Sequence, residues 1–134
     1  MPNSTIAEAD YKSPFENIEN EIIAKAKNIR LLVLDVDGVL SDGKLYFSNS
    51  GEEIKAFHSL DGHGIKMLQK AGVEVAIITG RTSHIVAKRS ESLGIKHLIQ
   101  GREDKLNALD ELLTKALWNT RKLPIWGMII LTYP

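Results

Sequence analysis

Residues 29–38 read Ile29-Arg30-Leu31-Leu32-Val33-Leu34-Asp35-Val36-Asp37-Gly38. The first six form a nearly unbroken apolar run that stops at an acid. A strand with one wet face alternates, whereas a strand covered on both faces does not. The run therefore predicts an inner strand of a parallel sheet, with carboxylates at its carboxyl end. The pattern recurs downstream. Val73–Ile78 reads as a second buried strand, running into Thr79-Gly80-Arg81, and Ile95–Ile99 as a short third.

Helical spacing fills the gaps between these strands. Gly64–Ala71 predicts a helix stopped by Gly72, and Ser83–Leu93 one closed by Gly94. Asp104–Thr114 predicts another, with Leu106, Leu109, Leu112 and Leu113 on one side. Lys44–Phe47 and Glu53–Phe57 alternate around Ser48-Asn49-Ser50-Gly51, the pattern of a hairpin with a short loop. Upstream, Ser13-Pro14-Phe15-Glu16 has the order of a helix N-terminus. Phe15, Ile18, Ile22 and Ala26 would follow as an apolar stripe laid on the core, after a polar segment 1–12. Strands alternating with helices give an α/β class, a doubly wound parallel sheet. In such sheets the chemistry gathers at the carboxyl ends of the strands.

The bulk properties narrow the function. With 134 residues the chain makes one domain with a real core. Seventeen basic and seventeen acidic residues balance, so no global charge favours nucleic acid or an anionic membrane surface. The absence of cysteine excludes disulfides, thiolate metal sites and cysteine nucleophiles. The first residues lack a basic-then-apolar leader, and no apolar run approaches the roughly 20 residues of a membrane span. The cytoplasm is the expected compartment.

Asp35 and Asp37, two residues apart on extended chain, point the same way. One could attack an electrophile while the other handles a proton, and a close carboxylate pair suits a hard cation such as Mg²⁺. The same letters also fit a plain Asp-Gly turn. Thr79 and Gly80 offer a hydroxyl and a backbone N–H to phosphate oxygens, and Arg81 offers a fork for an anion. Lys105, at a helix start, could stand beside a bound phosphate or be merely solvated. Taken together, an Asp-x-Asp pair, a threonine and a lysine at successive strand ends describe phosphoryl transfer through an aspartyl-phosphate. Asp35 would be the nucleophile. Asp37 would protonate the leaving alcohol and then activate water, while Thr79 and Lys105 balance charge on the phosphoryl group.

These motifs resemble those of the haloacid dehalogenase-like phosphatases. The stretches LDVDGVLSDGKLYF, EIKAFHSLDGHGIKML, VAIITGR and LGIKHLIQGREDKLNAL resemble the 3-deoxy-D-manno-octulosonate 8-phosphate phosphatase family from about Ile29 to Leu113. The resemblance implies a capless, Mg²⁺-dependent phosphatase of lipopolysaccharide precursor synthesis that forms homotetramers. Asp35, and Asp37 through a nearby backbone carbonyl, would hold the metal. The hairpin after Gly43 would be the assembly element. His58, Ser59, Leu60, Asp61, Gly62 and Lys66 match its substrate-contacting segment, joined by Asp37, Gly80 and Lys105. Arg81 and Arg89 match basic positions that meet the sugar acid; a solvated surface is the plain alternative for His58, Lys66 and Arg89. A neighbouring subunit could supply the walls that a capless site lacks.

The family's fourth motif, Gly-Asp-Asp-x-x-Asp after another buried strand, has no counterpart here. Residues 116–134 contain no acid and end in Trp126-Gly127-Met128-Ile129-Ile130-Leu131-Thr132-Tyr133-Pro134. Back-translated and read one nucleotide earlier, the codons from Ile125 onward force a Gly and an Asp. They permit the motif in full, as Met-Gly-Asp-Asp-x-Pro-Asp-Leu-Pro. The expectation is a frameshift near Thr114–Leu117, with an extension and helix at 1–28, an incomplete phosphatase core at 29–115 and an aberrant tail at 116–134. The last core strand and helix would then be missing and turnover severely reduced. The competing readings are a non-catalytic subunit or inactive fragment, and a phosphatase of a sialic-acid-type sugar phosphate.

Overall fold

The computed structural model describes residues 17–116 and the backbone of Arg121–Ile125 and Met128–Thr132. The elements, in chain order, are α1 (Asn20–Ala26), β1 (Ile29–Leu34), β2 (Tyr46–Phe47), β3 (Glu53–Ile54), α2 (Ser59–Lys70), β4 (Glu74–Ile78), α3 (His84–Leu93), β5 (His97–Ile99), α4 (Lys105–Lys115), β6 (Arg121–Ile125) and β7 (Met128–Thr132). The main sheet has the order β5-β4-β1-β7-β6. β1 and β4 pair in parallel, with Leu32 opposite Val75, as do β4 and β5, with Ile77 opposite Leu98.

The unbroken apolar run of β1 has the expected cause. Leu34, with Val75 and Ile77 of β4, faces one core shared with Ile65 of α2 and Val86 and Leu93 of α3. Leu31 and Val33, with Ala76 and Ile78, face a second core built on Ala108, Leu109 and Leu113 of α4. Alternate residues thus enter opposite cores, and neither face offers a place for a polar side chain. Helices cover both faces of the strands β5, β4 and β1, which is the doubly wound arrangement expected from the sequence.

Four details depart from the expectation. The sheet is parallel only through β5, β4 and β1, because β7 pairs antiparallel with β1 and β6 antiparallel with β7. A hairpin can close the open edge of β1 through backbone hydrogen bonds without any crossover helix. Next, α1 has no buried residue and Ile22 is 54% exposed, so its apolar spacing covers no core among the described residues. The helix start expected at Ser13–Glu16 lies outside those residues. Then α2 begins at Ser59, five residues before the predicted start at Gly64. Gly62 and Gly64 weaken the helical signal, but the His58 ring caps the helix by accepting from the Leu60 amide at 3.1 Å. Finally, Leu106 is exposed, and α4 enters the core through Ala108, Leu109 and Leu113 instead. No helix among the described residues is long and apolar enough to cross a membrane.

Candidate active site

The sheet brings its chemistry-bearing residues to one end. Asp35 follows the last residue of β1 and Thr79 the last of β4, while Lys105 opens α4 beyond β5. Val36, between the two acids, is buried in the core and leaves both carboxylates partly exposed on the same side. One Asp35 oxygen accepts from the Val36 amide at 2.7 Å, and the other is hydrogen-bonded by the Lys105 ammonium. Lys105 thus reaches from the start of α4, beyond β5, to the end of β1.

Thr79 is buried, and the backbone around it ties the strand ends together. Its amide donates to the Ile99 carbonyl at 3.0 Å, and its carbonyl accepts from the Arg102 amide at 3.2 Å. Arg102 then grips Asp104 through two bonds, at 2.6 and 2.8 Å, and Glu111 through two more, at 3.1 and 3.0 Å. This clip joins the β5–α4 loop to the body of α4 and so fixes where Lys105 begins. The guanidinium holds the Asp104 carboxyl at about 2, and Asp104 with Glu111 raises Arg102 in turn. Above Gly80 lies the Glu103 carboxylate, so close that a Cβ on Gly80 would stand 2.3 Å from its Oε1.

Asp37 is held by residues that carry no motif. Lys55 Nζ donates to Asp37 Oδ1 at 2.6 Å and lies 3.2 Å from Glu53 Oε1, with its side chain only 1% exposed. Arg81 donates to the same Glu53 oxygen at 3.1 Å, and its Nε lies 4.0 Å from Asp37 Oδ2. Asp37, Lys55, Glu53 and Arg81 thereby close a ring of two positive and two negative groups. Burial would pull Lys55 down, but its bonds to Asp37 and Glu53 win and hold it above the ordinary lysine value. Burial pushes Glu53 up, and the neighbouring Ser83 hydroxyl, Lys55 and Arg81 together bring it below its ordinary value. Ser83 Oγ forms no hydrogen bond of good geometry and is the one buried side-chain polar atom without a partner among the described residues. Its effect on Glu53 is therefore one of proximity. The sequence signal for Lys55 was available: on a short strand, residues 53, 55 and 57 share a face, and Ile54 faces out.

The segment His58–Gly62 forms the first turn of α2. His58, Ser59, Leu60 and Asp61 are exposed, and His58 and Asp61 help line a cleft of about 320 Å³ with Leu40, Ser41 and Phe57. Arg89 reaches this turn from α3. Its guanidinium lies 5.7 Å from the centre of the Phe57 ring and donates to the His58 carbonyl at 3.5 Å, passing over buried Gly62. Lys66 sits about two turns down α2, with its ammonium 4.0 Å from where a Cβ of Gly94 would be, at the far end of α3. Within one chain it is not brought to Asp35. A larger cleft of about 400 Å³, lined by Gln69, Glu74, Lys96 and His97, lies at the opposite end of the strands and contains none of these residues.

No protein-family model matches the chain. The fold and the strand-end constellation are those of the haloacid dehalogenase-like (HAD) superfamily. A solved structure of a HAD-superfamily subfamily III A hydrolase from Legionella pneumophila superposes with a TM-score of 0.71 at 48% identity, over 75% of this chain and 55% of that one. The 3-deoxy-D-manno-octulosonate 8-phosphate phosphatase of Escherichia coli is 51% identical over 109 residues, 81% of this chain and 58% of that protein. The phosphatase of that name from Moraxella catarrhalis, solved in complex with magnesium ion, phosphate ion and KDO, superposes with a TM-score of 0.71 at 49% identity, over 75% of this chain and 57% of that one. The chain is thus similar to 3-deoxy-D-manno-octulosonate 8-phosphate phosphatases, and it spans 58% of the length of the Escherichia coli relative.

Proposed function

We propose that this chain carries the phosphoryl-transfer machinery of a phosphomonoesterase acting on 3-deoxy-D-manno-octulosonate 8-phosphate in lipopolysaccharide precursor synthesis. The observation that carries the reading is the pairing of Asp35 with Lys105, beside a second carboxylate, at one end of the sheet. An Asp35 oxygen attacks phosphorus and the phosphorus–alkoxide bond breaks. Asp37 gives its proton to the leaving oxygen. Water, losing a proton to Asp37, then attacks the aspartyl-phosphate, which frees inorganic phosphate and restores Asp35. Thr79 and Lys105 compensate charge on the phosphoryl oxygens. Arg89, with Arg81 nearby, suits the carboxylate of the sugar acid. His58–Gly62 forms the adjoining wall.

The donor set fits magnesium. Mg²⁺ takes one or two carboxylates and completes its shell with waters and substrate phosphate. Asp35 and the Asp37 segment offer that, and no cluster of three ligating side chains exists among the described residues. When bound, the ion would neutralise phosphoryl charge. Self-association is part of the proposal: Tyr46 and Ile54, opposite each other, are exposed on one face of the hairpin, and Leu45 and Phe47 are exposed beside them, apolar surface suited to a second copy in a homotetramer. A chain without cysteine also suits the reducing cytoplasm.

The test is Mg²⁺-dependent phosphate release from the octulosonate 8-phosphate, with Asp35→Asn alongside. Release that Asp35→Asn abolishes supports the reading. No Asp35-dependent release refutes it and leaves a non-catalytic subunit. Preference for a sialic-acid-type phosphate in the same assay would reassign the substrate.

A further inference from the structure

Lys55 is the most completely buried charge in the described part of the molecule's active end, and the phosphoryl-transfer steps above give it no part. It lies just past β3, eighteen residues beyond Asp37, yet its ammonium is spent on Asp37 Oδ1 and Glu53 Oε1. A desolvated ammonium with two short carboxylate contacts is fixed in place, because any departure leaves a buried charge unpaired. The carboxylate it grips is fixed as well. With Oδ1 occupied by Lys55, only Oδ2 is left to face a reacting group, and Arg81 Nε pairs with that oxygen only at 4.0 Å, beyond hydrogen-bond reach. Arg81 is kept from closing on Asp37 by its bond to Glu53, which Lys55 also holds.

From this geometry we infer that Lys55, with Glu53, is a positioning residue that orients Asp37 so that Oδ2 delivers the proton to the leaving oxygen. The claim rests on the reading of Asp37 as acid and base. Removing the ammonium frees Asp37 Oδ1 and lets Arg81 swing onto the carboxylate, covering the oxygen that transfers the proton. The bonds made and broken at phosphorus stay the same. What is lost is the proton transfer at each step: to the alkoxide as its bond to phosphorus breaks, and from water as it attacks the aspartyl-phosphate.

That loss has a signature that a general loss of structure lacks. An alkyl phosphate such as the octulosonate 8-phosphate needs its leaving oxygen protonated, whereas p-nitrophenolate leaves without a proton. Lys55→Met should lower kcat/KM, which reads the steps up to leaving-group departure, about 100-fold for the octulosonate 8-phosphate, the scale of general acid catalysis. With p-nitrophenyl phosphate kcat/KM should fall less than about threefold, while kcat, which includes the shared hydrolysis of the aspartyl-phosphate, can fall with both. Should that variant fail to fold, Lys55→Met with Glu53→Gln keeps the cluster neutral against Arg81 and should show the same selectivity. Equal losses of kcat/KM with both substrates, or no loss with either, overturn the inference. If the unaltered chain gives no Asp35-dependent release from either substrate, the phosphatase reading fails instead. The positioning claim is then judged by a crystal structure of the double variant: Asp37 turned onto Arg81 supports it, and an unmoved Asp37 overturns it.

Discussion

Gly62→Ala places one carbon where two kinds of consequence can be told apart. Gly62 is the fourth residue of α2 and buried, with helical backbone, so alanine itself favours the helix by about 1 kcal/mol. Its Cβ would meet Arg89 Nη2 at 2.5 Å, Arg89 Cζ at 3.3 Å and Leu93 Cδ2 at 3.2 Å. The guanidinium ends a flexible side chain and can leave; Leu93 needs to give by only a few tenths of an ångström. Losing the Phe57 face costs about 0.5–1 kcal/mol, and the long bond to the His58 carbonyl adds little. Gain and cost nearly cancel, so the melting temperature should move by no more than about 5 °C. Function should not cancel. If Arg89 meets the sugar-acid carboxylate, its displacement forfeits a charge-assisted bond of about 1.5–3 kcal/mol, which raises KM roughly 10- to 100-fold. kcat should hold, and p-nitrophenyl phosphate, which lacks the carboxylate, should be hydrolysed as before. Thermal melts and steady-state kinetics on the two substrates read both effects. An unchanged KM for the octulosonate 8-phosphate would refute the role given to Arg89. A melting temperature lowered by more than about 10 °C would refute the packing argument, since Leu93 would then be unable to yield.

The remaining predictions concern acid stability and assembly. Asp104 is held at about 2, below its ordinary 3.8, and Glu111 is lowered from 4.5, both first by Arg102. A depressed carboxyl stabilises the fold fully above its unfolded value and loses that contribution as pH falls through the folded one. The melting temperature should therefore drop between about pH 4.5 and 2, and Arg102→Ala should flatten that drop. The gap between the two proteins, constant above about pH 5, should close on acidification; a gap that does not shrink removes the clip from the account. At the hairpin, Phe47→Asp with Ile54→Asp puts a charge on each face among the exposed apolar residues and should convert any oligomer to monomer in light scattering, with the melting temperature changed little. An unaltered mass would move the assembly surface elsewhere.

The sequence disclosed the sheet because burial on two faces writes itself into composition. Leu31, Val33 and Leu34 had to be apolar whichever core each entered, and the acids that end the run marked the edge of the sheet. Asp35 and Thr79 were legible as candidates for the same reason, each falling where a strand stops, and Lys105 because it opens the next helix. Ranges failed where glycine obscured the period, as at Gly62 and Gly64, since histidine is not among the usual N-cap residues and the packing against α3 is a tertiary fact. The stripe of α1 shows the converse: correct spacing with nothing to cover. Arg89 was open to two readings because a helical arginine looks alike whether solvated or folded over Phe57. The antiparallel docking of β7 on β1 was not legible either, since apolar content predicts a strand but not its direction.

The least legible part of the site is its counter-charge. Asp37 is written in a motif, but Lys55 and Glu53 belong to a hairpin whose alternation looks like that of any exposed ribbon. Charged residues on a short strand ordinarily face water; here Ile54 faces out and its charged neighbours face in. That inversion has a cost, because burying Lys55 is tolerable only with both carboxylates in reach. It follows that the hairpin is more than an attachment to the sheet. One face holds Glu53 and Lys55 against Asp37 and the other leaves Ile54 exposed, so a partner docked on Ile54 would bear on the counter-charge of Asp37 within a single residue step, from Ile54 to Lys55.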